Sequence, residues 1–148
     1  MRKGLTVIEI LVALVLAGAV LALAYLKYHS WEKRVSVEND TRRIYSLVEL
    51  QRTKSFTEKI PAKIVVSGTQ VTVEEQTSSG TYAVVKVIHL KNPFSGTIEI
   101  DEKGLPNNTS IIYLGDLSVD AKYSCIKSDG VRVRMGKTVL SSGKRVCE

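Results

Sequence analysis

The chain has 148 residues, 44% of them hydrophobic, and a formal charge of +6 at pH 7. That length allows one domain with appendages and no more. Two cysteines and two histidines, His29 and His89, offer no zinc ligand set, and no nucleophile elbow, phosphate-cradling glycine loop or dinucleotide fingerprint occurs, so an enzyme is not expected, nor a metal or cofactor.

The chain opens on Met1-Arg-Lys-Gly-Leu-Thr-Val-Ile-Glu9, and from Leu5 to Leu26 the only charge is Glu9. This stretch is apolar on all sides, unlike the one-sided helix of a soluble core, and about 20 residues match the hydrocarbon thickness of a bilayer. A secretory signal cut after Ala22-Leu-Ala24 and a plain transmembrane anchor are the competing readings. Two features oppose the signal. The helical pattern continues through Tyr25 and Lys27 without a turn residue. Glu9 also lies inside the apolar run, where an ionised carboxylate is costly and marks a function. Gly18, in the middle of the run, fits either local unwinding or close helix packing.

Gly4-Leu5-Thr6-Val7-Ile8-Glu9 resembles the prepilin cleavage and methylation motif: a short basic leader, a glycine, and a glutamate at the fifth mature position of an apolar helix. The resemblance implies a type IV pilin-like protein, cut between Gly4 and Leu5 by a prepilin peptidase and N-methylated on Leu5. It also implies that Glu9 docks subunits by meeting the free amine of a neighbour's first residue in a filament core, where each charge offsets the burial of the other. Leu5 stands where most members have Phe, and Leu26 where many major pilins have Pro, which leans toward minor pilins and pseudopilins. The implied organisation is a leader (1–4), a membrane-spanning and filament-core helix (5–26), its amphipathic continuation (27–60) and a β-rich periplasmic or extracellular head (61–148). The implied partners are other pilins or pseudopilins, the peptidase, an inner-membrane assembly platform and membrane lipid. The implied location is the inner membrane, with the head in the periplasm before assembly into a pseudopilus or surface pilus.

Beyond the apolar run, Trp31 with Tyr25 and Tyr28 suits an interfacial aromatic belt. Ile44, Leu47 and Val48 fall at helical spacing, with Tyr45 or Leu50 widening the stripe, and Pro61 ends the helix. Strand patterns follow. Residues 63–67 and 70–74 flank Gly68 as a hairpin. Further strands are expected at 81–90, 97–101, 110–114, 123–126, 131–135 and 137–140, with turns at Asn92-Pro93 and Ser142-Gly143. A long helix leading into antiparallel strands makes the fold α+β, a helix packed on a sheet head in the manner of a lollipop. The acidic residues Glu99, Asp101, Glu102, Asp116 and Asp120 do not have EF-hand spacing and read as solvated turns.

Residues 121–148 carry seven basic and two acidic side chains. In a strand, Arg132 and Arg134 share a face, and Lys127, Lys137, Lys144 and Arg145 are close in sequence. Cys125 and Cys147 pair if the head is exported and remain thiols otherwise. A bridge would gather these cations on one surface suited to phosphates, with binding that weakens in salt. No aromatic side chain lies among them, so base readout is not indicated. The layout of the head, including Lys127-Ser-Asp-Gly-Val-Arg-Val-Arg134, resembles the minor pilin and pseudopilin branch called GspH/FimT, whose FimT-like members are associated with DNA binding through basic C-terminal residues. Uptake of double-stranded DNA is therefore one expected task. A structural, cargo-contacting role in type II secretion is the alternative.

Overall fold

The computed structural model describes residues 6–148, the side chain of Leu26 excepted. Contacts divide the chain into two units, Met1–Lys33 and Arg34–Glu148. One helix, α1 (Val7–Glu58), begins in the first and ends in the second.

In the first unit every described side chain from Val7 to Lys33 is exposed. The helix is continuous through Gly18. It starts at Thr6, whose hydroxyl accepts from the amide of Glu9 (3.4 Å), while a Glu9 carboxylate oxygen accepts from the Thr6 amide (2.9 Å) and hydroxyl (3.0 Å). This reciprocal capping box satisfies amides that the first helical turn leaves without partners. Among the described residues, α1 is the one helix long and apolar enough to cross a membrane. Beyond its apolar run, the rings of Tyr28 and Trp31 stand 6.0 Å apart, both exposed.

In the second unit α1 becomes two-sided. Val37, Ile44, Leu47 and Val48 are buried, and Tyr45 packs beside them, but Leu50 is exposed. The buried stripe also runs through polar residues: Asp40, Thr41, Gln51 and Ser55. After Glu58, Lys59 takes a left-handed conformation (φ 59°) that turns the chain out of the helix ahead of Pro61.

The sheet is an antiparallel meander of five strands: β1 (Ala62–Gln76), β2 (Tyr82–Ile100), β3 (Thr109–Leu114), β4 (Cys125–Asp129) and β5 (Val133–Gly136). A separate hairpin pairs β6 (Thr138–Ser141) with β7 (Lys144–Cys147). One face of the meander supplies Ile64, Val66, Val71, Val73, Phe94, Ile98, Ile112, Leu114, Ile126 and Val133 to the core under the helix.

The hairpin expected at Gly68 is not there. β1 runs through Gly68, whose positive φ (61°) bends the strand, and the reversal into β2 comes at residues 77–81. Asn92-Pro93 is likewise no turn between strands but a bend inside β2. At that point residues 90–93 of β2 lie opposite Thr69 alone, since Gly68 pairs with Phe94 and Gln70 with His89. The amides of Lys91 and Asn92 therefore have no ladder partner in β1. Asp40 of α1 supplies one: its Oδ2 accepts from both amides (3.0 and 2.9 Å) and from Asn92 Nδ2 (2.8 Å). Arg43 closes the same edge by donating to the His89 carbonyl (3.1 Å). Buried backbone groups must find partners somewhere, and here the helix provides them.

Candidate functional site

Two sets of residues were expected to carry function, one at each end of the chain. At the N-terminal end, Gly4 and Leu5 lie outside the described residues. Glu9 is described, and its carboxylate is already engaged in the capping box with Thr6. The Thr6-x-x-Glu9 spacing is itself a helix-start signal, which the sequence reading passed over in favour of the charge alone. Both roles are compatible, because a capping carboxylate keeps lone pairs for a further cation.

At the C-terminal end, the meander's outer face, opposite the core, organises the cations. On this face Tyr113 is level with Cys125, and Cys125 with Gly136. Ile111, Lys127 and Arg134 form the next row. The Cys125–Cys147 disulfide is present, with Cα atoms 5.8 Å apart across a separation of 22 residues. Loop-closure entropy assigns such a bridge about 3 kcal/mol of stabilisation. It ties β7 against the face, and the backbone agrees: Lys137 and Glu148 exchange amide–carbonyl hydrogen bonds at 2.7 and 3.1 Å. Gly136 permits this approach, since a Cβ there would sit 2.1 Å from the Glu148 carbonyl oxygen.

The six expected cations do not form one open patch. Arg145 lies 4.8 Å over the Tyr113 ring and donates to the Gly115 carbonyl (3.0 Å), so it serves to seat the hairpin. Lys137 donates to Asp120 at 2.5 Å, with Arg34 3.8 Å from the other oxygen of that carboxylate. The Lys137 hydrogen bond and charge, then the Arg34 charge, hold Asp120 below the usual carboxylate range. Lys127 and Arg134 are cross-strand neighbours, and both face Asp129. Arg132 and Lys144 are exposed. Arg132 precedes β5 instead of lying in it, because the strand begins at Val133. The geometry thus brings Lys127, Arg132 and Arg134 to one hairpin and assigns Lys137 and Arg145 to structural contacts.

Arg52 falls, by its spacing, on a face of the helix away from the apolar stripe, and the sequence gives it no role. On α1, it donates to the carbonyls of Gly104 (2.9 Å) and Val131 (3.2 Å) while its other nitrogen meets Glu49 (2.9 Å). It therefore pins the tip of the β4–β5 hairpin from the core side. An arginine at helical spacing from surface charges looks like a solvated residue, and nothing local in the sequence announces contacts 52 and 79 residues away.

Of the acidic residues read as solvated turns, Glu99 instead lies in β2, where it pairs with Lys63 (3.1 Å). Asp101 Oδ1 accepts from the amides of Lys103 (2.9 Å) and Leu105 (2.7 Å), and Asp116 Oδ1 accepts from the Ser118 amide (2.9 Å). A cavity of about 560 Å³ between α1 and the far end of the β1–β2 hairpin is lined by Leu50, Gln51, Lys54, Val73, Glu75 and Val85. Its walls carry the Lys54–Glu75 ion pair (2.6 Å), to which Gln51 adds a hydrogen bond (2.8 Å). Burial pushes Glu75 up, but the bonds from Lys54 and Gln51 outweigh it and hold the carboxyl below its usual range; the same contact raises Lys54. None of the site residues expected from sequence lines it.

No family model, no curated protein and no solved structure matches this chain.

Proposed function

We propose that this chain is a minor pilin or pseudopilin, a non-enzymatic subunit anchored in the inner membrane by its N-terminal helix and drawn from there into a type IV pilus-like filament. The observation that carries the reading is the first part of α1: an apolar helix exposed on every side, with a single carboxylate in its opening turn. Water is a poor environment for that surface, whereas lipid and the packed helices of neighbouring subunits are good ones. A carboxylate at the rim of such a helix is positioned to receive the α-amine of an adjoining subunit. Other pilins, a prepilin peptidase and an assembly platform are the partners this role requires.

The mass of the mature protein tests the processing on which the role depends. In cells with a prepilin peptidase, the chain should begin at N-methylated Leu5. A chain beginning at Tyr25 is a cleaved secretory product and removes the proposal.

A second layer concerns the head. Lys127 and Arg134 side by side on the outer face, with exposed Arg132 at the same hairpin, favour contact with the phosphates of double-stranded DNA. Affinity should fall steeply with salt.

A further inference from the structure

The β4–β5 hairpin contains an anion that belongs to the protein itself. Asp129 ends β4, and Arg134 and Lys127 both reach it: Arg134 through an ion pair between Nη2 and Oδ2, Lys127 with Nζ 3.9 Å from Oδ1. The turn is closed by the Asp129 amide donating to the Arg132 carbonyl (3.0 Å), which fixes the Arg132 backbone beside Asp129. Arg134 is the largest influence holding Asp129 below the usual carboxylate range, and the charges of Lys127 and Arg132 add to it. All of this happens at the surface, where the Arg134 side chain is 65% exposed and that of Asp129 is 29% exposed.

We propose that Lys127, Arg132 and Arg134 form an oxyanion site for a backbone phosphate of double-stranded DNA, and that Asp129 occupies this site until the phosphate displaces it. The internal carboxylate shows what Lys127 and Arg134 recognise, and Arg132 adds its charge to theirs. A guanidinium fork and an ammonium arranged around one carboxylate suit a phosphate oxygen pair equally well. An exposed ion pair is weak and exchanges readily, so displacement is not prohibitive, but it subtracts from the net affinity. The site therefore discriminates by charge density: a lone monoanion gains little over Asp129, whereas a polyanion that contacts further cations of the head gains enough to replace it. This inference rests on the DNA reading of the head.

Asp129→Asn in the full chain, in detergent, is the direct test, with a short labelled duplex as probe and anisotropy at low and physiological salt as the readout. Glu102→Gln removes the same charge from an exposed turn elsewhere and is the control. Asp129→Asn should bind about tenfold more tightly than Glu102→Gln at low salt, and this advantage should shrink at physiological salt, which screens the competing carboxylate. Asp129→Glu, which retains a masking carboxylate, should bind like the parent. It also reports whether the hairpin tolerates change at this position. Adding Arg134→Ala to Asp129→Asn should cancel the gain. If the parent binds duplex and Asp129→Asn binds no better than Glu102→Gln, the masking is refuted and the DNA reading survives. If none of the variants binds duplex at low salt, the DNA reading fails, and the site falls with it.

Discussion

The two parts of α1 follow opposite rules. From Val7 to Tyr25 the helix is almost wholly apolar, and every side chain is exposed; from Arg34 to Glu58 it is rich in charge, yet Asp40, Thr41, Gln51 and Ser55 are buried. Composition alone would have assigned burial the other way. What separates the two parts is whether each side chain has a partner. Asp40 is buried because three hydrogen bonds from β2 meet it, and Thr41 because its hydroxyl donates to the Val37 carbonyl (2.9 Å) and lies 3.1 Å from the Tyr123 carbonyl. The apolar part has no such partners among the described residues.

The sharpest way to break this contrast is to make the same kind of truncation in both parts. Ile44→Ala, at a fully buried position, should destabilise the head by about 2–5 kcal/mol in denaturant titration. Leu14→Ala, at an exposed position on the same helix, should change it by less than about 0.5 kcal/mol. Equal effects would show that the two parts are not distinct. Asp40→Ala should cost about 3 kcal/mol by leaving the Lys91 and Asn92 amides without an acceptor. Asp40→Asn, which keeps one acceptor oxygen, should recover part of that loss in the same titration.

A smaller effect concerns pH. The folded-state pKa values of Glu75, Asp120 and Asp129 are all depressed, so their contribution to stability is complete above the unfolded carboxylate range and is lost as pH falls through the lower folded values. The melting temperature of the head should therefore fall progressively below about pH 4. Lys54 is raised, so its share persists up to the ordinary lysine pKa and disappears above it, in strongly alkaline solution. A melting temperature unchanged between neutral pH and pH 3 would contradict the ion pairs of the head.

Much of the helix was legible in the sequence, because apolar periodicity needs no tertiary knowledge: Ile44, Leu47 and Val48 are buried as their spacing indicates. The polar members of the same stripe were not legible, since burial of Asp40 depends on a bend in β2 that lies 51 residues away. That bend was itself misread. Asn92-Pro93 carries the composition of a turn, and local composition cannot distinguish a turn from a bulge whose free amides are served by another element. Gly68 was misread for the same reason. In the candidate site, the alternation of Arg132 and Arg134 was visible, and so was the cysteine pair. Their company was not. Asp129 meets Arg134 only because the register sets Lys127 opposite Arg134, and Lys137 and Arg145 are drawn aside by Asp120 and Tyr113. Strand β7 was missed because Lys144-Arg-Val-Cys147 has no apolar alternation; it is held by the disulfide and by pairing with β6.

Glu9 is where the account is most exposed to test, because the carboxylate can cap the helix, dock a neighbour, or do both. Incorporation into sheared filaments should be compared for Glu9→Gln and Glu9→Ala. Glutamine retains a capping oxygen but no charge, so if the charge docks a neighbouring amine, both variants should insert in the membrane and both should be missing from filaments. Glu9→Gln chains present at the parental level, with Glu9→Ala absent, would show that the residue only starts the helix and would contradict docking through charge.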